Sequence, residues 1–67
     1  MNNRHLIVFL SVCEHMNMTR AAGSLYMTQP AVSQMIAELE RYYGVRLFER
    51  IKHRLYLTAA GERLLSY

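Results

Sequence analysis

The chain has 67 residues, 52% of them apolar or aromatic and 19% charged, with a formal net charge of +3. That composition describes one globular domain with one small core, too apolar to be disordered and marginal in stability at this length. A single cysteine excludes an internal disulfide framework and any cysteine metal pattern, a reducing cytoplasmic setting is expected, and no apolar stretch approaches the ~20 residues of a membrane span.

A first helix is expected from Asn3 or Arg4 to about His15. Leu6, Phe9, Leu10, Cys13 and Met16 recur at helical spacing, and Ile7, Val8 and Val12 broaden the face into a mostly buried one. The run LIVFLSV after Arg4 ends at Leu10-Ser11-Val12-Cys13, a superficial likeness to a lipoprotein leader. It sits at the short limit for such a leader, and Val12 is larger than the small residue wanted before the cysteine, so buried helix is the better reading. Asn17, which tolerates left-handed backbone, is expected to end it.

Thr19 then caps a short second helix, Arg20 to Leu25, with Ala21, Ala22 and Leu25 facing inward. Adjacent alanines favour close approach of another helix; Gly23 costs ~1 kcal/mol there relative to alanine. Tyr26-Met27 leads directly into a third helix, Thr28 to Tyr43. Two helices joined by about three residues form a helix-turn-helix arrangement, here with Tyr26 where many such turns place glycine.

The third helix has two unlike halves. Val32, Ile36, Leu39 and Tyr43 form one apolar stripe. At the other end Thr28 is a good N-cap and Pro30 sits in the first turn, where its missing N–H costs nothing. Gln29, Ala31, Ser33 and Gln34 point away from the stripe and carry no charge. Amides and hydroxyls at a helix start suit hydrogen bonding to base edges in a DNA major groove, although an ordinary capped surface helix would look similar. Glu38 and Glu40 are expected to be solvated, with Glu38 able to pair with Arg41 and Glu40 near the core boundary.

Gly44 is the C-cap candidate. After it, Leu47-Phe48-Glu49-Arg50 and Leu55-Tyr56-Leu57 read as the arms of a β-hairpin whose tip is Ile51-Lys52-His53-Arg54, without the Asn-Gly or Asp-Gly signal of a two-residue turn. An isolated hairpin is unstable in water, so Leu47, Leu55 and Leu57 are expected to lean on the helices. Residues 45–57 carry Arg46, Arg50, Lys52 and Arg54 against Glu49, which accounts for the net +3 of the whole chain. Such a cluster fits a phosphate-contacting loop, and solubility alone is the competing explanation. Thr58 caps a last helix whose apolar residues Ala60, Leu64, Leu65 and Tyr67 have no obvious place in so small a core, which points to a partner.

Catalysis finds little support. Cys13 and His15 lie on different helix faces, and Cys13 falls on the buried stripe. His5, His15 and His53 lack ligand spacing, no phosphate-cradling glycine loop is present, and neither metal nor cofactor is expected.

The order of helix, helix-turn-helix, basic hairpin and helix is a winged helix-turn-helix, mainly α with a small β-hairpin. Phe9, Thr19-Arg20-Ala21-Ala22, Leu25 and Thr28-Gln29-Pro30-Ala31-Val32-Ser33 carry a close resemblance. So do Ile36, Leu39-Glu40, Gly44-Val45-Arg46-Leu47-Phe48-Glu49-Arg50, Leu57-Thr58 and Gly61. They resemble the N-terminal DNA-binding domain of LysR-type transcriptional regulators. The resemblance implies a recognition helix from Thr28, with Gln29, Pro30, Ala31, Ser33 and Gln34 toward the major groove. Arg20, Thr28 and Arg50 would then sit on phosphates, and Lys52, His53 and Arg54 would reach the flanking minor groove or backbone. It divides the chain into a DNA-binding unit, 1–57, and the start of a long linker helix, 58–67, through which two chains pair by Ala60, Leu64, Leu65 and Tyr67.

Gln34 and Met35 depart from the arginine and polar residue of many members, and Tyr43 replaces a usual leucine. An effector small molecule is expected only through a further domain absent from this sequence. The expected function is sequence-specific binding of double-stranded DNA for transcriptional regulation, with no enzymatic activity and no membrane association. The competing reading is a winged-helix protein-interaction or dimerisation fragment without DNA specificity of its own. Charge placement separates them: a DNA binder puts Arg20, Arg50, Lys52 and Arg54 on the same face as Gln29 and Ser33.

Overall fold

The first helix, α1 (Asn3–His15), is opened by Asn2, whose side-chain oxygen accepts from the N–H groups of Arg4 (3.0 Å) and His5 (3.3 Å). Those bonds satisfy donors that every helix start leaves free. The structure, a computed structural model, describes residues 2–67. At the far end of α1 the expected stop is displaced by one residue. Met16, not Asn17, takes the left-handed conformation (φ 49°). Asn17 stays extended and caps α2 (Met18–Ser24), accepting from the Arg20 N–H at 2.9 Å. Asn17 thus does for the second helix what the sequence pattern assigned to Thr19, and α2 starts two residues earlier than expected. An asparagine oxygen satisfies free helix donors, whereas a left-handed stop needs only a tolerable φ.

Ala21 and Ala22 are buried and let α2 lie close to both α1 and α3 (Gln29–Tyr43). The connecting turn closes by a 2.9 Å bond from the Met27 N–H to the Ala22 carbonyl, with Tyr26 left-handed (φ 56°) and its side chain fully exposed. Val32, Ile36 and Leu39 are the buried stripe of α3. Tyr43 does not extend it: the ring is 45% exposed and stacks edge-on against Tyr42, with centroids 5.0 Å apart. Gly44 then ends α3 in the left-handed conformation (φ 69°), where a side chain would be strained.

Strands β1 (Phe48–Ile51) and β2 (Arg54–Leu57) pair antiparallel, Phe48 opposite Leu57 and Ile51 opposite Arg54. The loop is two residues after all. Lys52 and His53 both have positive φ (51° and 66°), as a type I′ turn requires, without the glycine or asparagine that usually supplies it. Helix α4 (Ala59–Leu65) begins at Thr58, whose hydroxyl oxygen accepts from the Gly61 N–H at 3.0 Å. Gly61 is buried against β2; a Cβ there would strike the Leu47 carbonyl and the Leu57 side chain. The core gathers Val8, Phe9 and Val12 of α1, Ala21 and Ala22 of α2, the α3 stripe, and Leu47 and Phe48 at the root of the hairpin. Phe9 and Phe48 meet at 5.6 Å between centroids, so the hairpin is packed onto the helices by its first strand. Leu55 and Leu57 are partly buried against the same core. This is a winged helix-turn-helix. Among the described residues, no helix is long and apolar enough to cross a membrane.

Candidate nucleic-acid interface

The head of α3 is organised by its own short side chains. The Thr28 hydroxyl oxygen accepts from the Ala31 N–H (3.3 Å), and Pro30 occupies the first turn. The Gln29 amide donates to the Ser33 hydroxyl at 2.6 Å, one turn on. That bond uses one of two amide hydrogens and leaves the carbonyl oxygen and the second hydrogen available. Pro30 and Gln34 are exposed, Ala31 and Ser33 half-buried. Gln34 reaches the other way, toward Glu38 Oε2 (3.4 Å).

The register of the hairpin sorts the basic residues. Side chains alternate along a strand, and cross-strand partners share a face. Phe48 and Arg50 therefore share the helix-facing side with Leu55 and Leu57, while Glu49, Ile51, Arg54 and Tyr56 occupy the other. Arg50 is thereby turned toward α3. It borders a cleft of about 320 Å³ together with Gln29, His53, the α2 cap Asn17 and Thr19 in the first turn of α2. It also borders a second groove of about 220 Å³ with Ser33, Glu40 and Arg46. Gln29, Ser33, Arg50 and His53 are thus brought to one side. Arg20 is exposed on α2 outside both clefts, Lys52 stands at the exposed tip, and Arg54 lies on the outer face of the hairpin. Among the described residues, acid–base contacts are limited to Glu38 with His5 (2.7 Å) and Glu40 with Arg46 (3.6 Å), so Arg20, Arg50, Lys52 and Arg54 carry charge without an acidic partner.

The two glutamates of α3 are not merely solvated. Glu38 pairs with His5 rather than with Arg41. The hydrogen bond from His5, with a second from Gln34, holds its carboxyl below the usual value of 4.5. His5 Nδ1 lies 3.0 Å from the Asn2 side-chain oxygen, tying the α1 cap to the middle of α3. Glu40 turns toward the hairpin root, where its Oε2 accepts from the N–H groups of Leu47 (2.8 Å) and Phe48 (3.3 Å). Arg46, absent from the expected site residues, sits beside it in the groove next to Ser33. No sequence period flags either residue, because the contact joins a helix to irregular chain. The one hint in the sequence is that Glu40 falls near the core boundary, where a carboxylate needs partners. Cys13 is half-buried among apolar side chains, and burial pushes its thiol up to about 11.

Residues 3–62 match the family model described as bacterial regulatory helix-turn-helix protein, lysR family. The chain belongs to the LysR family. It is 47% identical over 64 residues to the HTH-type transcriptional regulator CfxR of Cupriavidus necator, covering 96% of this chain and 20% of that protein. It is 49% identical over 67 residues to the HTH-type transcriptional regulator HdfR of Escherichia coli, covering 100% of this chain and 24% of HdfR. This LysR-family chain therefore spans about a fifth to a quarter of the length of those regulators.

Among solved structures, a LysR-family transcriptional regulator from Eggerthella lenta superposes with a TM-score of 0.94 at 53% identity, covering 98% of this chain and 94% of that one. The BenM DNA-binding domain in complex with catB site 1 DNA superposes at 0.94 with 36% identity, over 100% and 75% of the two chains. The CbnR DNA-binding domain in complex with DNA superposes at 0.92 with 39% identity, over 98% and 76%.

Proposed function

We propose that this LysR-family chain binds double-stranded DNA sequence-specifically in the control of transcription, with the head of α3 in the major groove and the wing on flanking backbone or minor groove. The observation that carries the reading is the cleft that Gln29 of the α3 head lines together with Arg50 and His53 of the wing. Uncharged hydrogen-bonding groups share that cleft with basic side chains, as base readout beside phosphate contact requires. The family membership and the DNA-bound relatives BenM and CbnR support it.

Gln29, held by Ser33, offers its carbonyl oxygen and second amide hydrogen to the N6 and N7 edge of an adenine. Ser33 then serves mainly to orient that amide. Pro30, Ala31 and Gln34 line the groove-facing head, and Arg50 takes a phosphate, as do Lys52 and His53 at the tip. Arg20 and Thr28 contact backbone at the edge of the site, and Arg54 takes part only where DNA reaches the outer face of the wing. Selection of bound duplexes from a random pool at fixed, stated salt tests the function: an enriched motif containing an invariant adenine is expected, and a pool that stays random contradicts it.

Pairing of two chains belongs to the same reading. Ala60 and Leu64 pack partly against the core, whereas Leu65 and Tyr67 are exposed. With Leu6, Leu10 and Tyr43 they line an apolar groove of about 560 Å³ between α1, the end of α3 and α4. Residues 58–67 act as a pairing helix in this proposal. Sedimentation at micromolar concentration checks it, with a dimer expected and a strict monomer contrary to it.

A further inference from the structure

The joint between α3 and the wing is held by a side chain outside the set proposed to touch DNA. Four N–H groups of the connecting stretch end on Glu40. Its carbonyl accepts from Gly44 (2.8 Å) and Val45 (3.2 Å), and its carboxylate accepts from Leu47 (2.8 Å) and Phe48 (3.3 Å). The side chain is only 19% exposed, and its charge is met by the Arg46 guanidinium, which also donates to the Phe48 carbonyl (3.3 Å). From the opposite side Thr58 donates its N–H to the Leu47 carbonyl (3.0 Å) and its hydroxyl to the Arg46 carbonyl (2.6 Å). The root of the wing is therefore clamped between the last turn of α3 and the cap of α4.

We propose that Glu40 is a positioning residue for DNA binding, which sets where the wing stands relative to the head of α3 by holding the Leu47 and Phe48 amides. The inference rests on the DNA-binding reading above. Apolar packing of Leu47 and Phe48 anchors the root in the core, but packing is non-directional. Two hydrogen bonds converging on one oxygen fix the direction in which β1 leaves. From Phe48 the strand runs outward to Arg50 and the Lys52-His53 turn. At ~3.3 Å per residue the tip lies roughly 13 Å from the root, so a tilt of about 10° moves it by ~2 Å. That shift breaks a hydrogen bond to a phosphate. The head of α3 keeps its own cap and buried stripe, and base readout there does not depend on Glu40.

The test uses the 67-residue chain with Glu40→Ala, Glu40→Asp and Glu40→Gln, and the duplex obtained by selection. Affinity is measured over a salt series for that duplex and for one changed at the base pair assigned to Gln29. Hydrogen exchange at the Leu47 and Phe48 amides is followed in parallel. Glu40→Ala and Glu40→Asp, which remove or shorten the acceptor, are expected to flatten the log–log salt slope by ~0.9–1.8, one or two phosphates, while the base preference persists. Exchange at Leu47 and Phe48 accelerates in both. Glu40→Gln keeps an oxygen that reaches the same N–H groups and retains the wild-type slope and slow exchange.

The order in which the charge-conserving variant is worse than the neutral one is the signature. If Glu40→Ala does not fold, the aspartate and glutamine variants still decide. Aspartate at wild-type slope with glutamine impaired, or slope and base preference falling together, overturns the role of Glu40. Unchanged slopes in all variants, with the wild type still specific, overturn this inference alone. A wild-type chain without sequence preference overturns both it and the function on which it rests.

Discussion

The head of α3 and the wing border the same cleft and are built from opposite materials. The head is neutral: Thr28, Gln29 and Ser33 satisfy one another or the backbone, and their geometry is set before any ligand arrives. The wing is cationic. Among the described residues, Arg50, Lys52 and Arg54 have no acidic partner, and two non-glycine residues of the turn are held at positive φ. A preorganised neutral group loses little by meeting a base edge, and gains only if the base is right. An unpaired cation gains from any phosphate. In the proposed reading the difference assigns specificity to the head and affinity to the wing.

That division can be broken or sharpened by substitution. Phe9→Ala removes the ring on which Phe48 packs and should cost about 3–5 kcal/mol. A domain of this length has on the order of 3–10 kcal/mol in total, so thermal denaturation should show a chain largely unfolded, with both contributions lost together. Gln29→Ala should cost ~1–3 kcal/mol on the selected site and relax preference at one base pair, leaving the salt slope alone; competition among single-base variants measures it. Lys52→Ala should weaken all sequences alike and lower the log–log slope by ~0.9, and Arg50→Ala by at least as much, because Arg50 faces the cleft.

The smallest effect concerns the frame. Glu38 is depressed below 4.5 because its ionised form is hydrogen-bonded by His5 and Gln34. The folded carboxyl binds its proton less readily than the unfolded one, so its contribution is present above 4.5 and lost as pH falls through the folded value. Being exposed, it should give only a slight loss of stability on the acid side, which Glu38→Gln abolishes in a pH series of denaturant titrations.

Most of the fold was legible in the sequence. The α3 stripe through Leu39, the Thr28 and Thr58 caps, Gly44 and the two arms of the hairpin all follow from period and capping chemistry. What escaped has two physical causes. Met16, Tyr26, Lys52 and His53 take left-handed backbone without being glycine, because the short connections they sit in, a helix end, the turn between α2 and α3 and a two-residue hairpin loop, demand that conformation over local preference. Tyr43 fits the helical period of a buried residue, yet the core ends one turn earlier.

Within the interface, composition and the family resemblance pointed to Gln29, Ser33, Arg50 and His53, and the structure gathers those side chains at one cleft system. It leaves Arg20 and Arg54 outside the clefts, because strand alternation assigns Arg54 to the other face. Glu40 and Arg46 could not be found by spacing, since their partners are backbone groups of an irregular segment.

An amide chemical-shift titration of the 67-residue chain with the selected duplex decides between a DNA-reading surface and a protein-binding one. Shifts concentrated on Arg20, residues 28–34 and residues 50–54, saturating at stoichiometric duplex and weakening with salt, are the expected result. Shifts concentrated instead on Leu6, Leu10, Tyr43, Leu65 and Tyr67, with the head of α3 silent, would contradict the assignment of base reading to the helix that begins at Gln29.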